Sequence, residues 1–340
     1  MTHTLSRREL LRASAATLFG VSLMRSAGGA GATRVKIANA AGSLNMTMSA
    51  LLRQQKFLEQ YEIAPEFLDV ADGTRILGGL VGKSIDVSMM SGFGQVFPAI
   101  ERGAPIRIIA GAVLLPALAL YSGKPDVTTL RQLEGRTIAT GSIGALIHQL
   151  TLALLLKHDV NVSGIRFVNV GSSADILRAV QAGTVDAGAA DVALLEHAPE
   201  RRVHALERGN MSLELPEYTY SGSWTLARNI ETQREQLVRT LAAYAKLYRF
   251  AQSPDAEDAF LRASRTALPK SAAKDAQALW KYIQTYKPFA VNLALSPERL
   301  RYLQALNVRL KTQKQALPFE RVADMSLAAD ALALLEKNRG

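Results

Sequence analysis

Residues 76–91, ILGGLVGKSIDVSMMS, run as a short apolar segment at helical spacing, break at Gly82 and continue into Ile85-Asp86-Val87. Residues 176–191, ILRAVQAGTVDAGAAD, do the same, with the break at Gly183 and the continuation Val185-Asp186-Ala187. Each copy predicts a helix, a glycine turn, a short buried strand and a loop. Helix–glycine–strand units are common, so the match alone leaves chance open. Read as a repeat, it predicts one copy in each of two similar α/β lobes. Ligands of open α/β sheets sit outside the carboxyl ends of strands. The loops 90–94 and 190–192 would then face each other across a cleft.

The same patterning predicts the remaining elements. A first strand at 35–38 leads through the loop 39–44 to a helix over 45–61, with Ser43 or Asn45 as its cap. Strands follow at 64–70 and 106–112, and one at 118–121 is expected to leave lobe one. Lobe two takes a helix at 126–134, strands at 137–139 and 165–170, an apolar helix ending near Lys157, and a closing strand at 203–206. The strand 218–227 returns. The expected bounds are 34–121 plus 222–340 for lobe one and 122–221 for lobe two. Tyr-Ser-Gly occurs at both crossings, at Tyr121-Ser122-Gly123 and Tyr220-Ser221-Gly222, and suggests a two-stranded hinge. From Ile230 the period is helical. Five helices are expected, with breaks at Ser253-Pro254, Leu268-Pro269, Lys287-Pro288 and Ser296-Pro297, because the residue before proline is biased away from α geometry. They are expected to pack on lobe one.

Composition narrows the chemistry. The 340 residues contain no Cys, which excludes disulfides, thiol nucleophiles and Cys-bound metals. Ser6-Arg7-Arg8-Glu9-Leu10-Leu11 has a twin-arginine pattern, an apolar run covers 13–24, and Ala30-Gly31-Ala32 offers a cleavage site. The expected product is periplasmic, with residues 1–32 removed as a twin-arginine signal peptide. Those residues hold Arg7, Arg8, Arg12 and Arg25 against Glu9, a net +3, so removal would leave +7 of the formal +10. The remaining cations are spread along helices without interleaved aromatics, so nucleic acid is not an expected partner.

Several motifs fail on inspection. Gly82-Lys83-Ser84 resembles the end of a phosphate-binding loop, but position 77 is Leu and the segment follows a helix rather than a strand. Gly92-Phe93-Gly94 begins a dinucleotide fingerprint, but Phe97 stands where the third Gly belongs. The five His show no metal-ligand spacing, and no Gly-x-Ser-x-Gly elbow is present. His148 is expected to be structural. No cofactor, metal or catalytic residue is expected.

Three strand-to-helix junctions carry small polar loops: Ala41-Gly42-Ser43, Ser91-Gly92 and Gly141-Ser142-Ile143-Gly144. A helix N-terminus presents unpaired N–H groups and a partial positive charge. Each junction alone is an ordinary cap, but several converging on one cleft would hold a carboxylate or sulfonate without a dedicated base.

Further blocks carry a family resemblance: Lys56-Phe57-Leu58-Glu59, Glu101-Arg102-Gly103-Ala104-Pro105-Ile106, the run from Thr129 to Ala139, Ala182-Gly183-Thr184-Val185-Asp186-Ala187 and Val322-Ala323-Asp324-Met325-Ser326. Over about 35–335 the chain resembles the periplasmic substrate-binding proteins of ABC importers for nitrate, taurine and aliphatic sulfonates, which share their fold with thiamine-pyrimidine proteins. The resemblance implies an α/β fold, type II-like and two-lobed, with two hinge crossovers. It also implies a monomer, not an enzyme, that closes on a small organic anion and delivers it to an inner-membrane ABC permease. Carried over by position, ligand contacts would come from Gly42, Ser43, Ser91, Gly92, Gly141, Ser142, Gly144 and Asp191, with Trp224 as an apolar wall. Asp191 stands where the family often has an apolar or small residue, and it suggests an amine or hydroxyl on the ligand. No Arg clearly belongs to the cleft, and Arg75 is the best candidate. The alternatives are an enzyme of thiamine-pyrimidine metabolism on the same fold, which would need a Cys-rich motif, or a ligand sensor feeding a receptor.

Overall fold

The computed structural model of the protein describes residues 32–70 and 73–337. The twin-arginine stretch, the apolar run after it and Asp72 lie outside these residues. Ten strands form two five-stranded sheets. The first sheet takes β1 (Thr33–Ala40), β2 (Ile63–Val70), β3 (Val87–Ser91) and β4 (Ile106–Val113). The second takes β5 (Leu118–Ser122), β6 (Thr137–Thr140), β7 (Arg166–Asn169), β8 (Ala187–Asp191) and β9 (His204–Asn210). The chain then returns to the first sheet as β10 (Ser221–Leu226). The orders are β2-β1-β3-β10-β4 and β7-β6-β8-β5-β9. In each sheet three strands pair in parallel, and the strand in the fourth place runs antiparallel to both neighbours.

The helices of the first half are α1 (Ser43–Gln54), α2 (Gly73–Val81) and α3 (Val96–Glu101). Those of the second are α4 (Leu146–Lys157), α5 (Ser173–Gln181) and α6 (Met211–Glu214). From residue 227 onward come α7 (Ala227–Thr232), α8 (Arg234–Ala251), α9 (Glu257–Ala267), α10 (Ala273–Tyr286), α11 (Pro297–Arg309), α12 (Phe319–Val322) and α13 (Ser326–Lys337). The five long ones break near the expected prolines. Helix α9 packs on α1, α13 on α8, and α12 and α13 on β4, so most of this segment covers the first sheet. Helix α10 also meets the short turn Val192–Glu196 that follows β8.

The two copies of the repeat occupy matching places, since β3 and β8 each hold the centre of a sheet. Their shared Asp explains why. Asp86 accepts the N–H of Lys36 at 2.8 Å and returns its own N–H to the Lys36 carbonyl at 2.9 Å. Asp186 makes the same pair with Thr137, both at 2.8 Å. A hydroxyl from the antiparallel strand then donates to each Asp carbonyl at 2.6 Å, Thr225 in one half and Ser122 in the other. Each Asp thereby fixes the register of its own strand against a parallel and an antiparallel neighbour. The small residues of β8 answer to helix packing: a Cβ on Gly188 would lie 2.3 Å from Ile176 of α5.

The structure corrects three expectations. Strand β5 does not leave lobe one; it belongs to the second sheet, so the crossings fall at 114–117 and 215–220. Consequently Tyr121-Ser122-Gly123 lies at the far end of β5, and the structural counterpart of Ser122 is Thr225 rather than Ser221. The turn of the first repeat copy is left-handed at Lys83 (φ 64°), where the second has Gly183 (φ 68°). Gly82 aligns with Ala182 of the second copy, and a Cβ there would come within 3.2 Å of the Gly78 carbonyl, a close but not forbidding approach. Helix α1 stops at Gln54, with Lys56 left-handed (φ 52°), and only a short turn, Glu59–Tyr61, remains of its expected second half.

Candidate functional site

The carboxyl ends of β1, β3, β6 and β8 carry loops that converge between the sheets. They enclose a cavity of about 60 Å³, room for a few water molecules. The first turns of α1 and α4 line it, through Gly42, Ser43, Leu44 and Asn45 on one side and Ala145, Leu146 and Ile147 on the other. Both helices have 12 residues and neither has a side-chain N-cap. Their leading N–H groups and partial positive charges therefore face the cavity. Gly42 makes this possible at α1: its φ of 151° and ψ of 150° fall in a region nearly restricted to glycine. Helix α5 also begins here, but a capping box between Ser172 and Asp175 already satisfies the N–H groups of those two residues.

No Lys or Arg lines the cavity among the described residues. Three of the polar side chains that do are poorly satisfied. Asn45 donates to the carbonyls of Ala40 (2.8 Å) and Met90 (3.1 Å), which leaves its buried Oδ1 without a partner. Both amide atoms of Gln95 and the Oδ1 of Asp191 are also buried and unpartnered. Buried polar atoms are normally hydrogen-bonded, so such a cluster at one cavity marks a place where polar groups are to be received.

Asp191 ends β8 and faces α1. Burial is the largest influence on its carboxyl and lifts its pKa above the ordinary carboxylate range; the Ser43 hydroxyl and the Ala193 N–H beside it pull the other way, and Asp275 adds to the rise. Tyr121 donates to the Asp191 carbonyl at 2.8 Å and holds the strand end in place.

The halves touch around this cavity. A Cβ on Gly92 would lie 2.8 Å from Leu146 Cβ, and one on Gly94 would lie 2.4 Å from the Gly144 carbonyl. Behind them Gln149 of α4 bonds Asn307 of α11, which donates to the Gly94 carbonyl at 3.2 Å. Asp275 of α10 holds His197 at 2.5 Å and Arg201 at 2.7 Å, both on the segment between β8 and β9. The conformation is closed.

Of the sequence-expected residues, Gly42, Ser43, Gly92, Gly141, Ser142 and Asp191 line the cavity. Ser91, Gly144 and Trp224 do not. Ser91 is fully buried and bonds the Met89 carbonyl at 3.1 Å. No helix starts at Ser91-Gly92, because α3 begins only at Val96, so Gly92 serves close approach rather than capping. Gly144, left-handed at φ 82°, shapes the turn into α4, and its N–H donates to His148 Nδ1 at 3.1 Å. Trp224, expected as an apolar wall, points into the core with no exposure, since its strand is covered on both faces. Arg75 is exposed and outside the cavity lining. His148 is buried against Phe167. Sequence reasoning passed over Asn45, Gln95, Ser173 and Tyr220, which also line the cavity. The Gly171-Ser172-Ser173 junction carried the same small-polar signal as the three that were singled out.

These sheets, crossings and loop-lined cleft have close parallels among solved structures. The alkanesulfonate-binding protein SsuA of Xanthomonas axonopodis, bound to MOPS, superposes with a TM-score of 0.70 at 19% identity, covering 89% of this chain and 99% of that one. The nitrate-binding protein NrtA of Synechocystis gives 0.72 at 13%, covering 89% of each. The aliphatic sulphonate-binding protein SsuA of Escherichia coli gives 0.66 at 18%, covering 86% and 92%. The chain has the periplasmic binding-protein fold. Within it, residues 117–276 match the model of the periplasmic substrate-binding proteins of phosphonate ABC transporters. No curated protein matches the chain by sequence. The matched span of the binding-protein fold contains the whole second sheet, β10 and α8, so it bears directly on the α4 and Asp191 side of the cavity. No helix among the described residues is long and apolar enough to cross a membrane.

Proposed function

We propose that this protein is an exported, periplasmic solute-binding component of an ABC importer. It binds a small organic anion between its lobes, releases it unaltered to an inner-membrane permease, and acts as a monomer. The reading rests chiefly on one observation: two uncapped helix N-termini, one from each half, open onto a cavity whose lining, among the described residues, has no cationic side chain. Such an arrangement favours an anion through backbone donors and the helix dipoles. The sulfonate- and nitrate-binding neighbours and the phosphonate family match lend support. The unpartnered acceptors Asn45 Oδ1 and Asp191 Oδ1 favour an anion that also carries an amine or hydroxyl, as taurine does. Closure follows as a population shift, because only the closed form brings both helix ends to one guest.

A thermal-shift and calorimetric screen over taurine, alkanesulfonates, alkylphosphonates, nitrate, aromatic carboxylates and pyrimidines tests this. A true ligand at 100-fold excess over its Kd adds about 2.7 kcal/mol of stability. Binding of neutral pyrimidines in preference to every anion, or consumption of any offered compound, would overturn the proposal.

A further inference from the structure

The central cavity is too small for more than a headgroup, yet it does not stand alone. Ser43, Ser173 and Asp191 also line a second cavity of about 350 Å³. This outer chamber lies between α5 and the end of β8 on one side and the ends of α9 and α10 on the other. Its floor is apolar: Leu177 and Leu268 are half-buried, and Leu279 is buried. Its rim is basic. Arg201 is committed to Asp275 and Arg178 pairs along its own helix with Asp175, whereas Lys270 is exposed and makes no ion pair among the described residues.

A ligand whose headgroup sits on the helix ends of α1 and α4 can therefore continue past Asp191 and over leucine side chains to a cationic edge. We propose that the outer chamber holds the body of a bifunctional organic anion, with its short alkyl or aryl chain over Leu177 and Leu268 and its second anionic group at Lys270 and Arg178. This rests on the anion reading of the central cavity and names the class of ligand that reading leaves open.

Three probes test it by calorimetry: ethanesulfonate, hexanesulfonate, and hexane bearing a sulfonate at each end. Hexanesulfonate is expected to bind about tenfold or more tightly than ethanesulfonate, because the added methylenes leave water, and the dianion more tightly still. Lys270→Glu, an exposed change, should weaken the dianion about tenfold and leave ethanesulfonate unchanged. Leu177→Trp should narrow the chamber and weaken both hexane compounds alone. Equal affinity for all three probes, or equal weakening of all three in both variants, overturns the outer chamber while the anion reading stands. Failure of the unaltered protein to bind any of the three overturns this inference; the anion reading falls with it only when every anion of the screen above fails as well.

Discussion

Asp191 makes the site responsive to pH in a way that depends on the ligand. Its pKa is raised by burial, so the carboxyl is neutral further up the pH scale than usual. Above that raised pKa it carries a negative charge beside the cavity. A plain alkanesulfonate should then bind more weakly as pH rises, whereas a ligand with an ammonium beside Asp191 should bind more tightly. Affinities of ethanesulfonate and taurine should diverge as pH rises through that raised pKa, and Asp191→Asn should flatten both profiles. His148 gives a separate dependence, on stability. Burial pushes its pKa down to about 4 from 6.5, so it stays neutral when folded and accepts the Gly144 N–H. The unfolded chain takes up a proton below 6.5 that the folded chain takes up only near 4. Stability is therefore complete above 6.5 and falls as pH drops through that window, by about 3 kcal/mol at most. Urea unfolding at pH 7 and pH 5 reads this, and His148→Gln should lose the difference.

At the scale of elements, the α1 terminus depends on one backbone conformation. Gly42→Ala adds a Cβ in open space, yet its φ and ψ are those of glycine, so the strain is about 1–3 kcal/mol. The first turn of α1 should shift, with affinity reduced and the fold kept, as calorimetry and circular dichroism would show. The elements were legible to different degrees. Helix α5, the pair of repeat strands and the five long C-terminal helices could be read from local period and from prolines. The place of β5 could not, because nothing local to residues 118–122 tells which sheet supplies its partners. The cavity was half legible: junction loops at strand ends announce themselves by composition, whereas Gln95 reaches the site only because Gly73 leaves it room, with Gln95 Nε2 2.0 Å from where a Gly73 Cβ would lie. Trp224 misled because a lone Trp on a strand reads alike in a core and in a cleft.

Across the whole molecule, closure brings Gly94 against the Gly144 carbonyl, with no room for even a methyl group. Gly94→Val should hold the halves apart. Small-angle scattering with a saturating ligand should then show no compaction, and affinity should fall at least about tenfold, since the competent state becomes rare. The two halves also differ in how the chain supplies them. The second sheet comes from one unbroken run, β5 to β9, and has all its strands once residue 210 is made. The first sheet waits for β10, without which β3 and β4 have no strand between them, and for α8 and α13 to cover it. On a ribosome, then, the later-starting half is ready first, and the earlier one stays open-edged until β10 is made and partly uncovered until α13 follows. A chain truncated before residue 221 should leave one finished half tethered to an adhesive, strand-exposing remnant, and it is the arrival of β10 that removes that hazard.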